Sequence, residues 1–90
     1  MIITYHHLVT TRDIPSLDST IKIRVKRAIE EKLTFDPLHY GTPLHATLKQ
    51  LWKIRVGDWR ILFTIIEKRE VFIVLIAHRK DVYKLAEKRL

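Results

Sequence analysis

The stretch Leu51-Trp52-Lys53-Ile54-Arg55-Val56-Gly57-Asp58-Trp59-Arg60-Ile61-Leu62-Phe63 decides the fold. Apolar and cationic residues alternate before Gly57-Asp58, the period of a half-buried strand. Gly-Asp is a two-residue hairpin signal, with Gly suited to the first turn position. That turn sets Val56 opposite Trp59, Arg55 opposite Arg60 and Ile54 opposite Ile61. Side chains alternate faces along a strand. Trp52, Ile54 and Val56 therefore share a core face with Ile61, Phe63 and Ile65, while Lys53, Arg55 and Arg60 share the other face.

The near-continuous apolar run Val71–Ala77 reads as a central strand covered on both sides. If the charged run Glu67-Lys68-Arg69-Glu70 is a four-residue loop, Ile66 pairs with Val71 and Arg60 with Ala77. Arg79, two residues further on, then joins the Arg60 face. Four cations, Lys53, Arg55, Arg60 and Arg79, converge at one end of that face. A solvated sheet surface accounts for their polarity but not for their common sign, and Arg in particular suits phosphate. Leu62, Leu75 and Ile73 lie on the same face. They form the floor of a groove, open to a partner segment or covered by the chain's own tail. Trp52 and Phe63 are core residues, and Trp59 at the turn covers the helix layer.

Outward from the sheet, Ile2–Val9 is apolar and β-rich and reads as a first strand. Thr10, Thr11, Asp13 and Pro15 signal a short helix over residues 12–17. Asp18 or Ser19 caps a longer one. Ile21, Val25, Ala28, Ile29 and Leu33 recur at helical spacing, which predicts an amphipathic helix over 19–34. Its outer face carries Lys26 with Glu30 and Arg27 with Glu31, each pair four residues apart. Phe35–Leu44, with Pro37, Gly41 and Pro43, reads as loop. Lys80–Leu90 predicts a short tail helix with Val82, Leu85 and Ala86 inward. The order β-α-α-β-β-β plus a C-terminal helix makes one α+β domain over residues 1–90, an antiparallel meander packed against the N-terminal helices.

Ninety residues suffice for one modest core, and 47% hydrophobic with 30% charged residues is a globular composition. The absence of cysteine excludes a disulfide framework, a thiolate metal site and a cysteine nucleophile. The five histidines, His6, His7, His39, His45 and His78, are dispersed without ligand spacing, so neither metal nor cofactor is expected. His6, His7 and His45 read as surface or packing residues. Met1–Tyr5 lacks a signal-peptide pattern and no apolar run spans a membrane, so the default expectation is the cytoplasm. Seventeen Lys/Arg against ten Asp/Glu give a net charge of +7, which suits a polyanionic partner.

The hairpin, together with Ile76-Ala77-His78-Arg79-Lys80-Asp81-Val82-Tyr83, resembles the RelE/ParE toxin superfamily, and the Asp36–Leu44 segment fits the same pattern. The resemblance implies a RelE-like fold and a type II toxin neutralised by a cognate antitoxin in a hetero-oligomer. RelE-like members cut mRNA in the ribosomal A site. ParE-like members instead inhibit DNA gyrase by binding. The RelE pattern asks for two basic residues one position apart (Lys53 and Arg55), an Arg after the aromatic of the next strand (Arg60), an Arg ending the last strand (Arg79) and a Tyr in the tail (Tyr83). This chain departs from it in having Arg at position 55, where the best-known pattern has Lys, and in a shorter turn before Tyr83.

Metal-independent cleavage sends the ribose 2′-OH onto the neighbouring phosphorus. Arg60 is the candidate to hold the scissile phosphate, with Arg79 beside it or assisting the leaving group. Lys53 and Tyr83 are competing candidates for the base. Arg55 orients phosphate, and Lys80 adds to phosphate binding. His78 has the chemistry of a general acid, although the register points it away from Arg60. A third reading is a non-catalytic nucleic-acid-binding domain.

Overall fold

The hairpin forms in the register its turn dictates. The computed structural model describes residues 1–44 and 50–89. Strands β3 (Trp52–Val56) and β4 (Trp59–Ile66) pair antiparallel, with Arg55 opposite Arg60 and Val56 opposite Trp59. Gly57 takes φ +60°, the left-handed first position that Gly alone adopts without steric cost. β5 (Glu70–His78) is an interior strand and pairs antiparallel with β4. β1 (Ile2–Tyr5) adds in parallel to its far side, and β2 (Thr42–Pro43) closes the opposite edge, giving the order β1-β5-β4-β3-β2. The α+β class holds, with one parallel strand beside the meander.

Arg60 opposes Ala77 as expected, but Ile66 opposes Glu70 rather than Val71. The cause is a bulge: Leu62 faces Leu75 and Phe63 faces Ile73, leaving Val74 without a partner. The turn is accordingly shorter, with Glu67 and Lys68 both at positive φ and Arg69 N–H bonded to Ile66 C=O at 3.0 Å. Because a bulge swaps the faces beyond it, Ile73 joins the core on the helix side. Val74 takes its place beside Leu62 and Leu75.

The helical segments follow their caps. The chain leaves β1 at His6, whose Nδ1 accepts the Leu8 N–H at 3.0 Å, so the first strand is shorter than Ile2–Val9. A π-helical run, Val9–Asp13, continues into α1 (Ile14–Ser16). The Thr10 and Thr11 hydroxyls donate back to His7 C=O at 3.0 and 2.8 Å, as residues within a helical turn do, rather than capping one that starts later. Asp18 caps α2 (Ser19–Ala28) by accepting the Ile21 N–H at 2.9 Å. The helix runs on as a π-helical turn, Ile29–Leu33. Val25, Ala28, Ile29 and Leu33 are buried against the inner sheet face with Ile54, Val56, Ile61 and Phe63. Of the two spaced charge pairs, only Arg27–Glu31 reaches ion-pair distance among the described residues, at 4.0 Å. The expected loop over 35–44 contains α3 (Pro37–Tyr40) and β2. Asp36 is the cap of α3 and Pro37 its first residue, an order that the Asp-Pro pair spells out.

The tail forms α4 (Val82–Arg89), and Leu90 lies outside the described residues, as does His45. Val82 and Ala86 are buried against Leu62, Val74, Leu75 and Ala77, so the helix covers the expected groove floor. Leu85 points outward instead of inward. Arg89 takes the inner place. Its guanidinium bonds both oxygens of buried Asp13 at 2.5 and 3.2 Å and the Val74 C=O at 3.3 Å. Asp13 also accepts the Ile76 N–H at 3.0 Å, which satisfies β5 where β1 has ended.

Removing one partner of a buried pair strands the other charge. Asp13→Ala is expected to destabilise the fold by about 3–5 kcal/mol, read by urea denaturation. His6 titrates below its ordinary value of 6.5, first because burial disfavours the charged ring and then because His7 and Arg89 repel it, against an opposing pull from Asp13. Its neutral form also accepts the Leu8 N–H. A depressed folded value means stability is complete above about pH 6.5 and lost as pH falls through the folded value. The urea midpoint is expected to drop on acidification towards pH 5, and less steeply in His6→Asn.

Candidate functional site

Lys53, Arg55 and Arg60 alternate with core residues on β3 and β4, which places all three on the sheet face opposite α2. α4 lies over this face further along β5. The first turn of α4 brings Tyr83 to the cations. Lys53 Nζ donates to the Tyr83 hydroxyl oxygen at 3.0 Å and sits 5.7 Å from the ring centroid. Tyr83 remains 46% exposed, so the pair is open to a ligand.

The two arginines gather at the hairpin tip. Arg60 Nη1 donates to the carbonyls of Gly57 and Trp59, both at 2.9 Å. This holds the guanidinium against the turn, and among the described residues its other donors have no partner. Arg79 follows β5. Its backbone N–H bonds Asp58 C=O at 2.8 Å, and its Nε lies 3.7 Å from Asp58 Oδ1 with the side chain largely exposed. Arg55, directly across from Arg60, is exposed. The face thus carries Lys53, Arg55 and Arg60, with Tyr83 bonded to Lys53 from α4 and Arg79 reaching the same hairpin turn from the end of β5.

His78 pairs with Trp59, and its ring meets the indole edge-on at 5.5 Å. Because Trp59 packs against the core on the α2 side, His78 faces away from Arg60, as the register implies. Its Nδ1 accepts the Lys80 N–H at 3.2 Å, which leaves Nε2 as the protonated nitrogen of the neutral ring. Lys80 is exposed at the turn into α4. Among the described residues, no three His, Asp or Glu side chains come together in a metal-binding group. No described helix is long and apolar enough to cross a membrane.

Sequence spacing did not bring α2 or α3 to the site. The Arg24 guanidinium reaches the hairpin tip, where a Cβ on Gly57 would lie 2.9 Å from its Nη1. Lys32 and Tyr40 line a groove of about 190 Å³ with Thr42, Lys53, Ile54 and Arg55. No short-range pattern marks these residues. On α2 and its extension, Arg24 and Lys32 look like any solvated helix face.

The family described as ParE toxin of type II toxin-antitoxin system, parDE, matches residues 9–83. Toxin RelG of Mycobacterium tuberculosis is 30% identical over 74 residues, covering 81% of this chain and 85% of that one. The toxin–antitoxin complex RelBE2 of the same organism superposes with a TM-score of 0.78 at 26% identity, over 87% of this chain and 96% of that one. A mutant of the Escherichia coli toxin RelE in its free state shares the fold, with a TM-score of 0.73 at 19% identity over 99% and 96%.

The exposed Arg79–Asp58 pair adds little stability. Asp58→Asn is expected to change unfolding free energy by less than about 1 kcal/mol. Removing this acid from the cationic face is expected to raise the salt concentration at which the protein elutes from heparin.

Proposed function

The chain belongs to the RelE/ParE superfamily of type II toxin–antitoxin toxins, and on that premise we propose that it is a ribosome-dependent mRNA endoribonuclease. What supports this reading is that Lys53, Arg55 and Arg60 share one sheet face, with Tyr83 of α4 hydrogen-bonded to Lys53 and Arg79 held to Asp58 at the hairpin turn. A gyrase inhibitor acting by binding has no need of that constellation.

In this reading the ribose 2′-oxygen attacks the adjacent phosphorus as the bond to the 5′-oxygen breaks. Arg60 holds the scissile phosphate through the donors its turn contacts leave free. Its fixed position lets it stabilise developing charge without reorganisation. One member of the Lys53–Tyr83 pair, in its deprotonated form, takes the 2′-OH proton while the other holds it in place through their hydrogen bond. Arg79, tied to the same turn, shares the phosphate charge and assists protonation of the leaving oxygen. Arg55 and Lys80 bind flanking phosphates, whereas His78, its ring against Trp59, lies away from Arg60. The chemistry uses positioning and fixed charge. The partners are mRNA on the ribosome, in the cytoplasm, and a cognate antitoxin in a hetero-oligomer whose acidic residues mask the arginines. Three structural relatives are complexes of a toxin with its antitoxin or an antitoxin peptide, which supports such a partner.

The match to a ParE family supports the second reading, gyrase inhibition. Expression in cells, with mRNA 5′-ends mapped, separates the two. Wild type is expected to cut at a fixed position within translated codons. Arg60→Ala and Arg79→Ala are each expected to lower cutting by about 100-fold or more while remaining folded. Growth arrest with intact mRNA and gyrase-dependent DNA damage would transfer the activity to gyrase.

A further inference from the structure

The outer edge of β3 is only partly covered. β2 pairs with Trp52 and Lys53 alone, and beyond them lies the groove formed by Lys32, Tyr40, Thr42, Lys53, Ile54 and Arg55. Three of these six residues are cations. Among the described residues, none of the three has a carboxylate within 4.0 Å. Tyr40 is 46% exposed, and Lys32 Nζ lies 5.7 Å from its ring centroid. Arg55 also lines an adjoining groove with Arg24, Arg27, Glu31 and Lys32, where Glu31 pairs with Arg27 at 4.0 Å and the remaining cations keep the hairpin tip net positive. An exposed aromatic ring among uncompensated cations can accept both parts of a nucleotide. The ring stacks a base, which it does with little regard to sequence, and the cations hold the phosphate.

We propose that Lys32, Tyr40 and Arg55 form a subsite for a nucleotide of the RNA strand flanking the one that is cut, its base on Tyr40 and its phosphate between Lys32 and Arg55. The placement rests on the ribonuclease reading, since Lys53 belongs to both the groove and the cleavage site. An acidic protein segment would match the charge, but a flat exposed ring adds most for a ligand with planar bases.

The test is fluorescence anisotropy of the full chain with a labelled hexanucleotide whose 2′-oxygens are methylated, so that cleavage cannot occur. Tyr40→Ala is expected to weaken binding roughly 5- to 100-fold with an unchanged salt slope, and Tyr40→Phe to retain affinity. Lys32→Gln is expected to lower the slope of log K against log salt by about 0.7, the loss of one phosphate contact on a single strand. Removing the base at one position of the oligonucleotide is expected to abolish the effect of Tyr40→Ala, a signature that misfolding does not produce. The proposal is overturned by wild type failing to bind, or by Tyr40→Ala and Lys32→Gln binding like wild type. The assay does not read cleavage. RNA held as described by a protein that cuts nothing in cells would sink the nuclease reading alone. Arg60-dependent cutting with full RNA affinity in Tyr40→Ala would sink the groove alone.

Discussion

The Asp13 carboxylate is the constraint on which the rest of the arrangement depends. Parallel pairing with β1 ends at Ile73, and β5 continues with an unpartnered edge. Asp13 fills the next position on that edge by accepting the Ile76 N–H, and it turns its charge on Arg89 of α4. A buried carboxylate is costly unless its bonds are made, and here each oxygen has a partner. A single side chain therefore closes a sheet edge, fixes the π-helical run and holds down the last turn of a helix. That helix has few apolar anchors of its own, with Val82 and Ala86 its buried residues. Val82 seats its first turn, beside Tyr83, and the ion pair fixes its far end.

Local chemistry was legible and long-range chemistry was not. The Gly57-Asp58 turn set the β3–β4 register and the common face of Lys53, Arg55 and Arg60, because hairpin geometry is a matter of adjacent residues. Arg60 opposite Ala77 followed by counting, and the count held as far as Leu62. It failed beyond, since nothing in a run of apolar residues marks Val74 as the one left unpaired. The same failure misplaced Ile73. Leu85 was put inside α4 by hydrophobicity, whereas Arg89 took the inner place because an acid 76 residues away was waiting for it. Tyr40 went unnoticed for a similar reason: its place beside Lys53 is set by β2, whose two residues are too few to leave a pattern.

The cationic face also shows why its charges are tolerated. Arg60 turns back onto two turn carbonyls, Arg79 leans on Asp58, and Lys53 rests on a tyrosine oxygen. These contacts order the side chains while leaving most of the charge uncompensated. Exposed pairs of this kind contribute at most about 1 kcal/mol, so a polyanion can take the cations over without disturbing the core. The fold keeps its stability in Asp13 and the two apolar layers and its exposed cations in the hairpin and the turn into α4.

The span between Asp13 and Arg89 bears on how the molecule comes into being. A chain is made from its N-terminus, and the hairpin cations are synthesised some turns before the residues of α4. The clasp, like the parallel pairing of Ile2 with Glu70, joins the first part of the chain to the last. Contacts of such separation form late, after loop closure has brought distant segments together. A nascent chain therefore carries its basic hairpin before it carries the tyrosine that completes it. The pairing of Lys53 with Tyr83 thus belongs to the finished fold and not to any growing segment of it.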